Sequence, residues 1–106
     1  MCSDETARYR LTPRAHADLD DIWRYSAETW SVEQADRHLD DLVRIFETIA
    51  AVPAIAREYR EFDPPVRIHI YLSHLIIYAD RGNGVVILRL LGGRQDWLAV
   101  LKAAGF

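Results

Sequence analysis

Two patterns of apolar residues divide the chain into a helical first half and a second half rich in strands. Residues 7–12 alternate between apolar and polar and predict a first strand. Thr12 followed by Pro13 is a typical helix start, because threonine can cap the helix and proline fits its first position. The apolar residues that follow lie near one helical face. They are Ala15, Leu19, Ile22, Trp23 and Trp30.

A second helix is predicted to begin at Ser31, which can cap it, with Gln34 three residues later as in a capping box. Its apolar residues repeat at spacings of 4, 3, 4 and 3: Ala35, Leu39, Leu42, Phe46 and Ile49. Such a stripe is typical of packed helices, so the two helices are predicted to form a hairpin. Pro53 ends the second helix. Residues 54–65 are interpreted as a polar connection without assigned structure.

Three further strands are predicted at residues 66–71, 73–80 and 85–91. Between the last two, "DRGNG" is a turn whose Asn-Gly pair favours the type I′ hairpin. Residues 96–104 predict a short helix. Because tight turns join consecutive strands, those strands must be antiparallel. The pattern therefore predicts an α+β fold in which an antiparallel sheet has the N-terminal helical hairpin packed on one face.

Composition fits one domain spanning residues 1–106, with residues 1–7 interpreted as a flexible tail. Half of the 106 residues are hydrophobic, yet no apolar run approaches the roughly 20 residues that span a membrane. The single cysteine, Cys2, gives neither a disulfide framework nor zinc-ligand spacing. We therefore expect a cytoplasmic protein without a metal or a cofactor.

Charge is distributed unevenly along the chain. From residue 14 to residue 52 there are nine acidic and four basic side chains, a net charge of -5. From residue 57 to residue 106 there are seven basic and five acidic side chains, a net charge of +2. Such asymmetry indicates a partner on the C-terminal half. It is too weak for a nucleic-acid-binding stripe, which would be strongly basic.

Arginine within predicted strands is the most informative candidate chemistry. If the helices cover Val86, Leu88 and Leu90, then Arg89 lies on the opposite, open face of the sheet. Three more polar or aromatic residues can share that face: Arg67, His69 and Tyr71. Two guanidinium groups there can bind a phosphate or an acidic partner. The alternatives are ordinary solvent-facing residues, or ion pairs with the acidic helices.

Other titratable residues carry weaker signals. His16, His38 and His74 have no ligand partners at metal-site spacing and are interpreted as surface or turn residues. The many aspartate and glutamate residues lie on helix faces, where solvation is the ordinary reading. Trp23, Tyr25 and Trp30 are expected to pack in the core or within the helical hairpin.

Three stretches resemble the ParE toxins of the RelE/ParE superfamily, which are proteins of bacterial type II toxin–antitoxin systems. They are residues 9–53, "VRIHIYLSHLIIYAD" and "ILRLLGGRQDW". The first stretch is the most specific, and its matching residues are Ala15, Asp18, Leu19, Ile22, Trp23, Trp30, Gln34 and Ala35. The resemblance covers about residues 8 to 98 and implies the fold already predicted.

The resemblance implies one of two activities. RelE-like proteins are ribosome-dependent mRNA endonucleases that use basic residues with a histidine or tyrosine as acid or base. ParE-like proteins poison DNA gyrase. Many relatives have a histidine where this chain has Gly92, and Trp97 stands where a tyrosine would follow Arg94. Neither glycine nor tryptophan can transfer a proton, so we expect a gyrase inhibitor without enzymatic activity.

Two alternatives remain open. One is an mRNA endonuclease in which His69 or Tyr71 replaces the missing histidine. The other is a non-toxic relative that only binds an antitoxin. The candidate target-binding residues belong to the arginine-bearing sheet face and to the C-terminal segment. They are Arg67, His69, Tyr71, Arg89, Arg94 and Trp97.

The resemblance also implies a partner, an antitoxin of the ParD type that forms a hetero-oligomer with the toxin. DNA would then be reached only through the antitoxin or gyrase, with no role for a membrane. An amphipathic helix from the antitoxin would bind the groove of the helical hairpin and the edge of the sheet. The candidate contact residues are Trp23, Trp30, Leu39 and Phe46, with an internal core role as the alternative for each.

Overall fold

The computed structural model describes residues 9–60, 62, 65–72, 74–82 and 84–92. Its helices are α1 (Pro13–Thr29) and α2 (Val32–Ala51), followed by a 3₁₀ turn at Pro53–Ile55. Its strands are β1 (Tyr9–Leu11), β2 (Glu58–Tyr59), β3 (Val66–Tyr71), β4 (His74–Asp80) and β5 (Val85–Gly92). The predicted tail at residues 1–7 and the predicted helix at residues 96–104 lie outside the described residues.

The five strands form one sheet in the order β1-β5-β4-β3-β2. Strands β2 to β5 pair antiparallel, whereas β1 runs parallel to β5. The α+β class is therefore confirmed, but the sheet is mixed rather than antiparallel. The prediction missed this because the helical hairpin separates β1 from the strands joined by tight turns. Strand β2 was not predicted because it has only two residues, which are too few to show an alternating pattern.

Side-chain caps set the starts of both helices, as the sequence predicts. The hydroxyl oxygen of Thr12 accepts a hydrogen bond from the Ala15 N–H at 3.1 Å and donates to the Leu88 carbonyl at 2.9 Å. The hydroxyl oxygen of Ser31 accepts from the Gln34 N–H at 3.0 Å. Thr12 thus starts α1 and also ties that start to β5.

The helices form the predicted hairpin and cover one face of the sheet. The apolar cluster between them joins residues of both helices to the central strands. Its buried members are Ala15, Leu42, Phe46, Ile49, Ala56, Ile76, Tyr78, Val85, Ile87 and Leu90. The Tyr78 hydroxyl donates to the Pro53 carbonyl at 2.6 Å, which anchors the segment after α2 to the sheet. No helix of the described part of the chain is long and apolar enough to cross a membrane.

The opposite face of the sheet is also buried, so the prediction of an open face is wrong. Its buried apolar cluster consists of Phe62, Val66, Ile68, Leu75, Ile77, Ala79, Leu88 and Leu91. Because Val66 and Ile68 belong to this cluster, the alternate residues of β3 lie on the helix side. Arg67, His69 and Tyr71 therefore face the helices.

A β-bulge in β5 explains why the predicted alternation fails. Ile77 of β4 pairs with Arg89, but the next residue, Tyr78, pairs with Ile87. Leu88 is thus an extra residue without a partner on β4. The extra residue shifts the alternation, so Leu90 joins Ile87 in the helix-side cluster while Leu88 joins the cluster on the opposite face.

Candidate functional site

A groove of about 640 Å³ opens where α1 passes the end of β5. Its walls come from α1, the start of α2, the turn between β3 and β4, and the last residues of β5. The lining residues are Asp18, Asp21, Ile22, Tyr25, Ser26, Trp30, Gln34, His38, Leu72, His74, Arg89, Leu90, Leu91 and Gly92. The groove therefore brings together polar, aromatic and apolar side chains that the sequence separates widely.

Asp18 and Arg89, which both line the groove, form an ion pair. The Arg89 guanidinium donates to the Asp18 carboxylate with Nε–Oδ2 and Nη2–Oδ1 distances of 2.8 Å and 3.2 Å. The same carboxylate accepts from the Leu90 N–H at 2.9 Å. Only 13% and 14% of the Arg89 and Asp18 side chains are exposed. The alternative of an ion pair with the acidic helices is confirmed for Arg89.

The geometry of β5 explains why an aspartate is needed at this position. Strand β1 pairs with β5 only as far as Ile87. The rest of that edge has no β1 partner for its backbone groups, and a buried amide without an acceptor is costly. Asp18 supplies the acceptor for the Leu90 amide, and Arg89 balances the charge that this carboxylate brings. The general expectation that the helix acids are solvated is wrong for Asp18.

Arg67 lies apart from Arg89 and does not share a site with it. Its guanidinium Nη1 donates to the Ala56 carbonyl at 2.6 Å, next to the 3₁₀ turn. Its Nε is buried and has no hydrogen-bond partner. The cross-strand neighbour of Arg67 is Tyr78 of the helix-side cluster, whereas that of Arg89 is Ile77 of the opposite cluster. The predicted two-arginine phosphate site is thus not assembled.

Two histidines meet at the end of the groove formed by α2 and β4. The ring centres of His38 and His74 lie 5.4 Å apart, and His38 also stacks on Tyr71 at 6.3 Å. Burial and the neighbouring His38 lower the pKa of His74. The His74 Nδ1 is buried without a hydrogen-bond partner. Both histidines were expected at the surface or in turns, so this pairing was missed.

Tyr71 and His69 of β3 have separate environments. Burial raises the pKa of Tyr71, and the nearby Asp41 carboxylate, which accepts its hydrogen bond, raises it further. Burial lowers the pKa of His69. Only Tyr71 approaches the groove, through its contact with His38. One feature of the sequence points to this cluster. His38 lies three residues after Ala35 and four before Leu42, so it falls on the same helical face as the apolar stripe of α2.

Exposed aromatic side chains form the outer wall of the groove. Tyr25 is 64% exposed and Trp30 is 66% exposed. Their rings meet edge to face, with centres 6.2 Å apart and planes at 89°. Both were expected to pack inside the protein, and neither does. Trp23 does pack within the hairpin, because its indole N–H donates to Asp36 of α2 at 2.9 Å.

The four candidate antitoxin-contact residues therefore lie in different environments. Trp30 lines the groove, while Trp23 and Leu39 are half-buried. Phe46 is fully buried in the helix-side core, where its ring contacts Tyr9 at 5.6 Å. The core alternative thus describes Phe46.

Two of the target-binding candidates, Arg94 and Trp97, lie outside the described residues. Within the described ranges, no three histidine, cysteine, aspartate or glutamate side chains come together in a way that could hold a metal ion. What the groove offers chemically is a mixed surface of aromatic rings, carboxylate and imidazole.

Comparisons with known proteins agree with this architecture. Residues 9–97 match the family described as the ParE toxin of type II toxin–antitoxin systems, parDE. Toxin ParE1 of Mycobacterium tuberculosis is 35% identical over 92 residues, which cover 86% of this chain and 94% of that toxin. Toxin ParE1 of Caulobacter vibrioides is 40% identical over 83 residues, which cover 78% and 85%.

A solved structure shares the fold. It is titled as a chromosomal ParDE TA system from P. aeruginosa, and it superposes with a TM-score of 0.69 at 21% sequence identity. The match covers 82% of this chain and 96% of that one.

The ion pair gives a first prediction. Replacing Arg89 with alanine leaves the largely buried Asp18 carboxylate without its counter-charge, so we expect a loss of roughly 2–4 kcal/mol in the free energy of unfolding. Urea titrations of Arg89→Ala, Asp18→Ala and the double variant would give the coupling energy between the two side chains. We expect the double variant to lose less than the sum of the single losses. Strict additivity would show that the pair does not stabilise the fold.

The histidine pair gives a prediction about pH. Because the folded pKa of His74 lies below its ordinary value of 6.5, the unfolded chain binds more protons as the pH falls below that value. The free energy of unfolding should therefore decrease as the pH is lowered from about 7.5 to 5. His74→Gln should show a shallower decrease, with the remainder due in part to His69. Replacing the exposed His16 with glutamine, outside the histidine pair, is the matched control for the loss of one imidazole.

Proposed function

Since the chain belongs to the ParE toxins of type II toxin–antitoxin systems, we propose that it arrests growth by inhibiting DNA gyrase. We further propose that a ParD-like antitoxin neutralises it by covering the groove. The solved structure with the same fold comes from a system in which a ParD and a ParE protein are named together. A cytoplasmic location, as the sequence predicts, places the toxin where gyrase acts.

The observation that carries the choice of gyrase is Gly92 in the wall of the groove. A β-carbon added at this position would meet no atom within 4 Å, so the space that a larger side chain would fill is vacant. Cleavage of RNA through its 2′-hydroxyl needs a proton acceptor, a proton donor and cations for the charged transition state. Gly92 offers neither proton group, and the guanidinium of Arg89 is engaged by Asp18.

Ribosome-dependent cleavage of mRNA is the second candidate, and one observation favours it. His38 and His74 lie close together in the groove, and two neighbouring imidazoles can act as an acid and a base. Against it, Asp21 adds a negative charge to the same groove, and the described arginine there is already paired. Gyrase inhibition therefore remains the first proposal.

The proposed target-facing residues differ in how they would act. Arg94 and Trp97 follow the last described strand in sequence and are proposed as direct contacts, because they belong to the C-terminal segment that is expected to face the target. The residues of β3 that face the helices, Arg67, His69 and Tyr71, are proposed to contribute only where their edges reach solvent. Arg89 is proposed to act indirectly, because its guanidinium holds α1 in place.

A supercoiling assay tests the proposal. Purified chain, DNA gyrase, ATP and plasmid are combined, and we expect supercoiling to fall and linear DNA to accumulate as the protein dose rises. Arg94→Ala should weaken this inhibition by roughly tenfold, as loss of a charged interface contact does. Arg81→Ala is the matched control, because Arg81 is an exposed arginine in the β4–β5 turn. It should inhibit like the unaltered chain.

The same protein is then added to translating ribosomes. Unchanged supercoiling together with cut mRNA, abolished by His38→Gln or His74→Gln, would contradict the gyrase proposal and establish the second candidate. No effect in either assay, with antitoxin binding retained, would indicate the non-toxic relative.

A further inference from the structure

An acidic and aromatic site lies on one side of α1, at the outer wall of the groove. Asp21 and Tyr25 are four residues apart on the helix and therefore neighbours on its surface. The ring of Trp30 meets that of Tyr25 at 6.2 Å. These three side chains, which we call the rim site, line the groove together.

The two aromatic side chains of the rim site are largely exposed to solvent. Tyr25 and Trp30 leave 64% and 66% of their surface in water, and they are adjacent. Neighbouring exposed aromatic side chains at a groove are typical of protein-interaction surfaces. Aromatic faces that are open to solvent also attract cations, and guanidinium stacks on them especially well.

The acidic half of the rim site is available to a partner. Asp21 contacts Arg24 at 3.2 Å, but their side chains are 72% and 63% exposed. Such a surface ion pair is weak and easily exchanged. Asp18, in contrast, is neutralised by Arg89. The uncompensated charge of the groove is therefore negative, and the segment that contains both helices carries a net charge of -5.

The opposite wall of the groove is apolar and strained. Leu72 is 73% exposed and has a backbone φ of 54°, a conformation that residues other than glycine and asparagine rarely adopt. An exposed leucine in this conformation gives the fold no evident benefit, and such strain gathers at functional sites. Leu72 lines the groove, as does the partly buried Ile22 of α1, and apolar side chains of a partner helix can pack there.

Building on the antitoxin proposal, we infer that the rim site binds an arginine of an amphipathic partner helix. The guanidinium stacks on the Tyr25 and Trp30 rings and donates hydrogen bonds to the Asp21 carboxylate. Leucine-like side chains on the same helix pack against Leu72. The occupant is thus a basic amphipathic segment of the antitoxin, matched to the groove by charge as well as by shape.

Three synthetic peptides of equal length test this inference directly. Each is helical with leucine at positions i, i+3, i+4 and i+7, and the remaining positions carry arginine, lysine or glutamate. Binding is measured by fluorescence anisotropy of the labelled peptide against the whole chain. We expect the arginine peptide to bind about tenfold tighter than the glutamate peptide, and measurably tighter than the lysine peptide.

Variants of the chain locate the binding site. Asp21→Asn and Trp30→Ala should each weaken binding of the arginine peptide by about five- to tenfold. Asp40→Asn removes an exposed acid of α2 outside the groove, and Val52→Ala trims an exposed apolar residue outside it. Both controls should bind like the unaltered chain. Thermal melts of all four variants establish that they are folded.

Several results would overturn the inference. If Asp21→Asn and Asp40→Asn lost equal affinity for the arginine peptide, binding would reflect only a general attraction between opposite charges. An unchanged affinity in Trp30→Ala, or equal binding of the lysine and arginine peptides, would exclude stacking of a guanidinium. A lack of binding by all three peptides would also overturn the inference. Gyrase takes no part in this experiment, so its failure leaves the supercoiling result intact, and a failed supercoiling assay leaves the peptide result intact.

Discussion

The carboxylate of Asp18 is the contact on which the arrangement of this domain depends. It accepts hydrogen bonds from the Leu90 amide and the Arg89 guanidinium, and so fixes the N-terminal half of α1 to β5. The start of the same helix is fixed by Thr12, which bonds to the carbonyl of the bulged residue Leu88. Together the two contacts position α1 beside the end of β5, and the groove lies between them and the β3–β4 turn.

This constraint changes which residues are available for function. The position of Arg89 in an apolar strand predicts a binding residue, but the structure gives its charge an internal partner. The polar surface that remains at the groove is the carboxylate of Asp21, the aromatic pair and the two histidines. Recognition in our proposals therefore shifts from the strands of the sheet to the rim of α1 and to the residues after β5.

Much of the fold could be predicted from local patterns, because caps and helical spacing act over a few residues. Thr12, Ser31 and the stripe of α2 fixed both helices correctly. The parallel pairing of β1 with β5 depends on contacts about 75 residues apart along the chain. The bulge at Leu88 adds a single residue to β5, and no alternating pattern in the sequence predicts it. It places Leu88 and Leu90 on different faces of the sheet, against the expected alternation. The predicted site failed for a separate reason, because Arg67, His69 and Tyr71 of β3 face the helices, whereas Arg89 pairs with Ile77 of the opposite cluster.

The candidate site was less predictable than the fold, for the same physical reason. Asp18 and Arg89 were each noticed, but their pairing requires the bulge and the short β1 to be known. His38 and His74 come from different elements, so no spacing in the sequence relates them. Family membership rests on residues 9–97 as a whole and did not depend on locating the site.

Amide hydrogen exchange at Leu90 tests the central claim most directly. If Asp18 holds α1 against β5, the Leu90 amide should exchange about as slowly as the buried amides of β4, and Asp18→Ala should speed its exchange by at least about tenfold. Amides such as that of Ile76 in β4 serve as the internal reference. Their exchange rates should change only when the global stability changes. Rapid exchange at Leu90 in the unaltered chain, or exchange indifferent to Asp18, would contradict the account.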